Sequence, residues 1–151
     1  MLPPGTAAIF ETKGPFIQEY FAQGQEGIDY FNKARVLCIG AGGLGCELLK
    51  SLALTGFKHI DVIDMDTIDV TNLNRQFLFR AADIGKSKAE CAAAFIKRRV
   101  PTCEIKAHHK RIEEMDDEFY LSFDVVIGGL DSVKARTWIN EKLCQIYHNE
   151  G

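Results

Sequence analysis

A chain of 151 residues is one domain or a piece of a larger one, and it can bury roughly 70% of its unfolded surface. Its 46% hydrophobic and 26% charged content is that of a globular protein, and no apolar run reaches the roughly 18 residues of a membrane span. A formal net charge of −3 gives no reason to expect nucleic acid; basic "KRRV" and "HHKR" lie close to acidic "EEMDDE" and read as solvated element ends.

The N-terminus, "MLPPGTAAIFETKGPF", has no basic n-region and no apolar core of signal-peptide length, so a cytoplasmic or nuclear setting is expected. The five cysteines, Cys38, Cys46, Cys91, Cys103 and Cys144, include no C-x-x-C pair. They are read as small hydrophobes rather than as zinc ligands, disulfides or nucleophiles.

Residues 1–33 show no sustained period and are read as an N-terminal extension with one short helix before Phe31. From Arg35 the organisation sharpens. "RVLCI" is an apolar run typical of a strand buried on both faces. "GLGCELLKSLALTGF" follows as a helix, with Leu44, Leu48, Leu52 and Leu54 at helical spacing and Gly56 as its stop. "HIDVIDMD" is a second strand ending in acids. "TIDVTNLNRQFLFRAADIG" is a long irregular connection, of the kind that usually carries function. "KSKAECAAAFIKRRV" is a helix stopped by Pro101, and "EIKAHH" is a third strand. "DDEFYLSF" is a short helix and "DVVIGGLD" a fourth strand. "SVKARTWINEKLCQIYH" is a last helix, with Val133, Trp138, Ile139, Leu143 and Ile146 expected on its inner face.

Alternating strands and helices predict an α/β fold, a Rossmann-like, mainly parallel sheet flanked by helices. Ligands of such sheets bind beyond the carboxyl ends of the strands. The residues just past each strand are therefore the candidates: Gly40 to Gly45, Asp64 and Asp66, His109 to Ile112, and Gly128 to Ser132.

The first segment is a G-x-G-x-x-G between strand and helix. Gly40 serves the tight turn, Gly42 lets a phosphate approach the backbone, and Gly45 lets helix and strand pack closely. The helix N-terminus adds unpaired N–H groups and partial positive charge. Asp64, about 20 residues on, suits a ribose acid. These features serve NAD and ATP equally.

The long connection separates them. "DVTNLNRQFLF" holds Asn72, Asn74, Arg75 and Gln76 between the apolar anchors Leu73, Phe77 and Phe79. An arginine so flanked can bridge phosphate oxygens bidentately, which a triphosphate needs and a nicotinamide cofactor does not. Asparagines that merely cap turns are the plainer alternative. Lys88 begins the next helix, against the helix dipole, which is sensible if it meets phosphate; Lys86 competes for that role. Asp131 ends the fourth strand, placed either to hold magnesium or to cap the last helix. The set fits ATP with magnesium. No general base or activated nucleophile is evident, and adenylation needs neither, because a substrate carboxylate is itself the nucleophile. Positioning and charge neutralisation carry the chemistry, with Arg75, Lys88 and Asp131 as the catalytic candidates.

The run from Gly40 to Glu90 resembles the adenylation domain of ubiquitin-activating-type enzymes, and more loosely the bacterial enzymes that adenylate sulfur-carrier proteins. "RVP", "GLDS", "ARTWIN" and the upstream "GPF" look most like the neddylation-activating branch, with the sumoylation-activating branch next. The resemblance implies ATP contacts at Gly43, Asp64, Asn72, Asn74, Arg75, Gln76, Lys88, Asp131 and Ser132, with Ile112 beside the adenine. It implies adenylation of a modifier's C-terminal glycine, then thioester formation on a cysteine and transfer to a conjugating enzyme. It also implies a regulatory partner subunit that lends an arginine. None of the five cysteines matches the family nucleophile, and residues 34–151 correspond to the nucleotide-binding half of an adenylation domain truncated at its C-terminal side. The expectation is therefore a half-site inactive alone. A non-catalytic module docking a partner through an unpaired sheet edge is the alternative, and an NAD-dependent oxidoreductase the third reading.

Overall fold

The computed structural model describes residues 25–150. Its strands are β1 (Arg35–Ile39), β2 (His59–Ile63), β3 (Glu104–His108) and β4 (Val125–Gly128). Its helices are α1 (Gln25–Lys33), α2 (Gly43–Thr55), α3 (Lys88–Arg99), α4 (Asp117–Leu121) and α5 (Val133–Glu150), with short 3-10 turns at Val70–Asn72, Ala81–Asp83 and Ile112–Glu114. The sheet order is β3-β2-β1-β4 and every pairing is parallel, so the predicted α/β class holds. No helix among the described residues is long and apolar enough to cross a membrane.

Register decides where the strands end. Ile39 pairs with Ile63 on one side and Gly128 on the other, and Ile63 pairs with His108. The last residues of the four strands therefore stand at one level. The chain winds from β1 to β2 and β3, then returns to β4 on the far side of β1. That reversal opens a crevice beyond β1 and β4, the usual ligand position in such a sheet.

Two cores hold the sheet. On one face Cys38, Ile60 and Val62 meet Cys46, Leu49 and Ala53 of α2 and Ala89, Ala92, Ala93 and Ile96 of α3. The small residues of α3 let it lie close to the strands. On the other face Leu37, Ile39 and Ile63 meet Ile112, Tyr120, Ile139 and Ile146.

Some helix faces differ from the expectation. Leu44 and Leu54 are 53% and 55% exposed, Leu48 and Leu52 are partly buried, and the buried stripe of α2 is Cys46, Leu49 and Ala53. Close packing of Gly45 on the β1 turn rotates the helix onto that stripe. On α5, Ile139 and Ile146 are buried and Trp138 and Leu143 pack beside them, but Val133 is 77% exposed, because the first turn stands over the open crevice. β4 is only partly buried, being an edge of the described sheet. α1 runs through Phe31 rather than ending before it, and Phe31 stacks edge-to-face on Phe57 at 4.7 Å.

β2 carries a buried acid. Asp61, 5% exposed, bonds His108 Nε2 at 2.7 Å and lies 4.0 Å from Arg35, whose guanidinium covers the Phe123 ring. Asp61→Ala strands these partners and should cost about 2–3 kcal/mol in urea denaturation. An unchanged midpoint would mean that the pair contributes nothing.

Candidate functional site

The crevice has a volume of about 590 Å³, within the range of small-molecule sites. Its walls come from four separated segments. The β1–α2 turn is the first. Gly40 takes φ +94°, a left-handed conformation that favours glycine, and its N–H bonds the Ile63 carbonyl. A Cβ on Gly45 would sit 1.9 Å from the Gly40 carbonyl oxygen, so α2 reaches β1 only through this glycine. Gly42 is the N-cap and has no side-chain cap bond, and a Cβ there would touch nothing within 4 Å. The first amides of α2 therefore face open space, as an anion requires.

Asp64 joins this turn to the β2 end. Its Oδ2 accepts from the Ala41 N–H at 2.7 Å and its Oδ1 from the Asp66 N–H at 2.8 Å. Burial raises its pKa, opposed by those two amides and by Lys88. A carboxylate has about four lone-pair sites, so two remain for donors on a ligand.

The long connection is held by its own polar groups. The Asp69 carboxylate accepts from Thr71, and the Asn72 side-chain oxygen accepts from the Asp69 amide. Asp69 is thus the cap and Asn72 the returning half of a capping box, and Asn72 also lines the crevice. Arg75 is exposed yet tethered, donating from one guanidinium nitrogen to the Thr71 carbonyl at 2.7 Å and to Asn74 Oδ1 at 3.2 Å. Asn74 does not line the crevice and touches Arg75 instead. Gln76 is 3% exposed, and its Oε1 has no partner. A buried acceptor beside a crevice suits a donor on a ligand.

Lys88 follows the Ser87 cap of α3, and its Nζ donates to Asp66 Oδ2 at 2.8 Å. The lysine side chain is 10% exposed and the aspartate 52%. Lys86 points away to Asp83 and lines no part of the crevice. Ile112, 7% exposed, forms an apolar wall. At the β4 end Ser132 Oγ accepts from the Ala135 amide, so serine rather than Asp131 caps α5. Asp131 is exposed on the crevice wall without an ion pair among the described residues.

Every predicted site residue except Gly45 and Asn74 lines this one crevice. Sequence reasoning gave no role to Asp66, Lys110, Arg111, Lys134 or Arg136, which line it too. Asp66, Lys110 and Arg111 lay in the strand-end segments, but charge type alone did not separate them from solvated acids and bases. Periodicity assigned α5 only an apolar face. Six cations and four acids line the crevice of a chain whose net charge is −3, a local excess that favours a polyanion. The described residues hold no cluster of three or more His, Cys, Asp or Glu able to cage a metal. Asp131 alone fits magnesium only as Mg²⁺ is usually held, by one or two carboxylates together with substrate phosphates.

The three buried thiols are unsuited to nucleophilic work here. Burial pushes Cys38 up to about 12 and Cys46 and Cys103 to about 11. A thiol-disulfide reagent at pH 8 should label exposed Cys144 quickly and half-buried Cys91 slowly. The other three should react only after unfolding; fast native labelling of Cys46 would contradict its burial.

The ThiF family matches residues 17–149. The chain is 55% identical over 147 residues to the Nedd8-activating enzyme E1 catalytic subunit of Drosophila melanogaster, covering 97% of this chain and 33% of the relative. It is 59% identical over 127 residues to the Caenorhabditis elegans NEDD8-activating enzyme E1 catalytic subunit, covering 84% and 30%. A SUMO-activating enzyme subunit 2 from Dictyostelium discoideum is 49% identical over 125 residues, covering 82% and 19%. The chain thus spans about a third or less of the length of these relatives. Among solved structures, E. coli tRNA N6-threonylcarbamoyladenosine dehydratase, TcdA, in complex with ATP superposes with TM-score 0.69 at 30% identity, covering 85% of this chain and 49% of that one.

Proposed function

The chain belongs to the ThiF family, and from that membership we propose that residues 34–151 form the ATP-binding half of an enzyme activating a ubiquitin-like modifier of the NEDD8 class. The observation that carries the reading is the convergence of the glycine turn, Asp64, Arg75, Lys88 and Asp131 on one crevice with an excess of cations. The higher identity to NEDD8-activating than to SUMO-activating relatives favours the first branch.

ATP supplies the α-phosphorus that the modifier's C-terminal carboxylate attacks, with pyrophosphate leaving. The chain's residues bind and orient. The open amides at Gly42 and Gly43 and the α2 dipole hold phosphate oxygens. Asp64 accepts from the ribose and keeps the turn in place. Arg75, aligned by Thr71 and Asn74, and Lys88, presented from a buried stem, neutralise charge that grows as the pyrophosphate departs. Ile112 packs beside the base, Gln76 offers its unpartnered oxygen, and Asp131 with Ser132 closes the β4 side, where Asp131 would hold magnesium. The thioester cysteine, the modifier-binding surface, the docking of a conjugating enzyme and an arginine from a regulatory subunit lie outside this half.

Titration with ATP–magnesium and with NAD tests the reading. ATP should bind and NAD should not; NAD binding with no response to ATP overturns it. Asp131→Ala should abolish the magnesium dependence of ATP binding, and a dependence left intact removes Asp131 from the metal. ATP–pyrophosphate exchange should be absent with modifier and this chain alone; exchange by the isolated chain would show that the half-site is sufficient.

A further inference from the structure

Asp131 has no hydrogen bond or ion pair of its own among the described residues, so its place depends on its neighbours. Those neighbours are held. The Gly129 N–H donates to the Ile39 carbonyl at 2.7 Å, and a Cβ on Gly129 would meet the Gly45 backbone at 3.1–3.2 Å. The loop after β4 therefore rests directly on the phosphate turn. Ser132 is fixed by its cap to Ala135 and by the bond from the Arg136 N–H to its carbonyl at 3.1 Å. Between these two anchors lies Leu130, and its carbonyl accepts from Arg136 Nε at 2.7 Å.

We propose that Arg136 is a positioning residue: its guanidinium clamps the Leu130 carbonyl and so sets the direction in which Asp131 enters the crevice. The arginine closes the first turn of α5, whose packing through Ile139 and Ile146 is anchored in the core, so the clamp ties the loop to a rigid element. A charge-assisted bond to one carbonyl restrains the peptide joining Leu130 to Asp131. Arg136 lines the crevice as well, which raises a second role, direct contact with phosphate. The two differ in their dependence on Asp131. A clamp acts only through the carboxylate; a phosphate contact acts without it.

Two measurements on the full chain test this. The first needs no nucleotide: Arg136→Ala should lower the NMR order parameter of the Asp131 amide while leaving those of the strand amides and the melting temperature unchanged, with Arg136→Lys restoring part of the order. An unchanged order parameter at Asp131 overturns the clamp. The second rests on the proposed ATP–magnesium site. At fixed ATP, Arg136→Ala should raise the magnesium concentration for half-maximal binding about 10-fold, as loss of an outer-shell partner does. In the Asp131→Ala background, where no magnesium dependence is expected, it should leave ATP affinity unchanged. An equal loss of ATP affinity in both backgrounds makes Arg136 a phosphate ligand and overturns the proposal. Absence of ATP binding by the parent chain strikes the proposed function, and the order parameter at Asp131 still decides the clamp.

Discussion

Gly45→Ala should fail to fold stably, losing about 3 kcal/mol or more, while Gly42→Ala should fold like the parent and lose ATP. At Gly45 the added carbon would lie 1.9 Å from the Gly40 carbonyl oxygen, a backbone atom that cannot rotate aside. Relief requires α2 to move off β1. That would uncover Cys46, Leu49 and Ala53 and break the seat of the β4 loop, so the cost lies at or above the usual range for overpacking. At Gly42 the φ of −75° suits any residue and the Cβ would meet nothing within 4 Å. That open space is where phosphate would approach the amides, so the same small carbon blocks ligand and spares the fold. Urea denaturation and ATP titration on both variants check the pair. A stable Gly45→Ala chain, or a Gly42→Ala chain that binds ATP normally, would break the argument at the corresponding glycine.

Lys88→Met should lower ATP affinity about 10- to 100-fold, the worth of one charge-assisted contact, at little cost in stability. The methionine retains an apolar stem in a site where the lysine side chain is 10% exposed. The released Asp66 is 52% exposed and can turn to water, so the change in folding free energy should stay within about 1 kcal/mol. Lys86→Met is the control, because Lys86 pairs with Asp83 outside the crevice. Equal losses from both variants would mean that phosphate is bound by the general field and not by Lys88. The Asp66 partner adds a second expectation: Asp66→Asn frees Lys88 and should strengthen ATP binding or leave it unchanged. A large loss would give Asp66 a ligand role of its own.

Local spacing determined a good part of this protein. Runs such as "RVLCI" and "HIDVI" are strands because β-branched and apolar residues suit a sheet buried on both faces. The glycines of the β1–α2 turn mark a place where backbone meets backbone, and Gly56 ends α2 at φ 119° as its residue type suggests. The alternation of elements implied a parallel sheet, and that sheet implied the strand ends as the site. None of these needs knowledge of what lies far along the chain.

The tertiary structure decided what spacing cannot reach. The buried face of α2 followed from the contact of Gly45 with Gly40, which outranked the leucine stripe. Lys88 rather than Lys86 entered the crevice because the backbone around Thr67 and Ser87 bridges and puts Asp66 beside Lys88, 22 residues apart. Ser132 took the cap and left Asp131 open, a choice between adjacent residues that both cap well. Arg136 found a carbonyl six residues back across a turn. Each outcome depends on the common level at which Ile39, Ile63, His108 and Gly128 end their strands. That level is set by hydrogen-bond register between segments distant in sequence, whereas element type is set by the few residues within each segment.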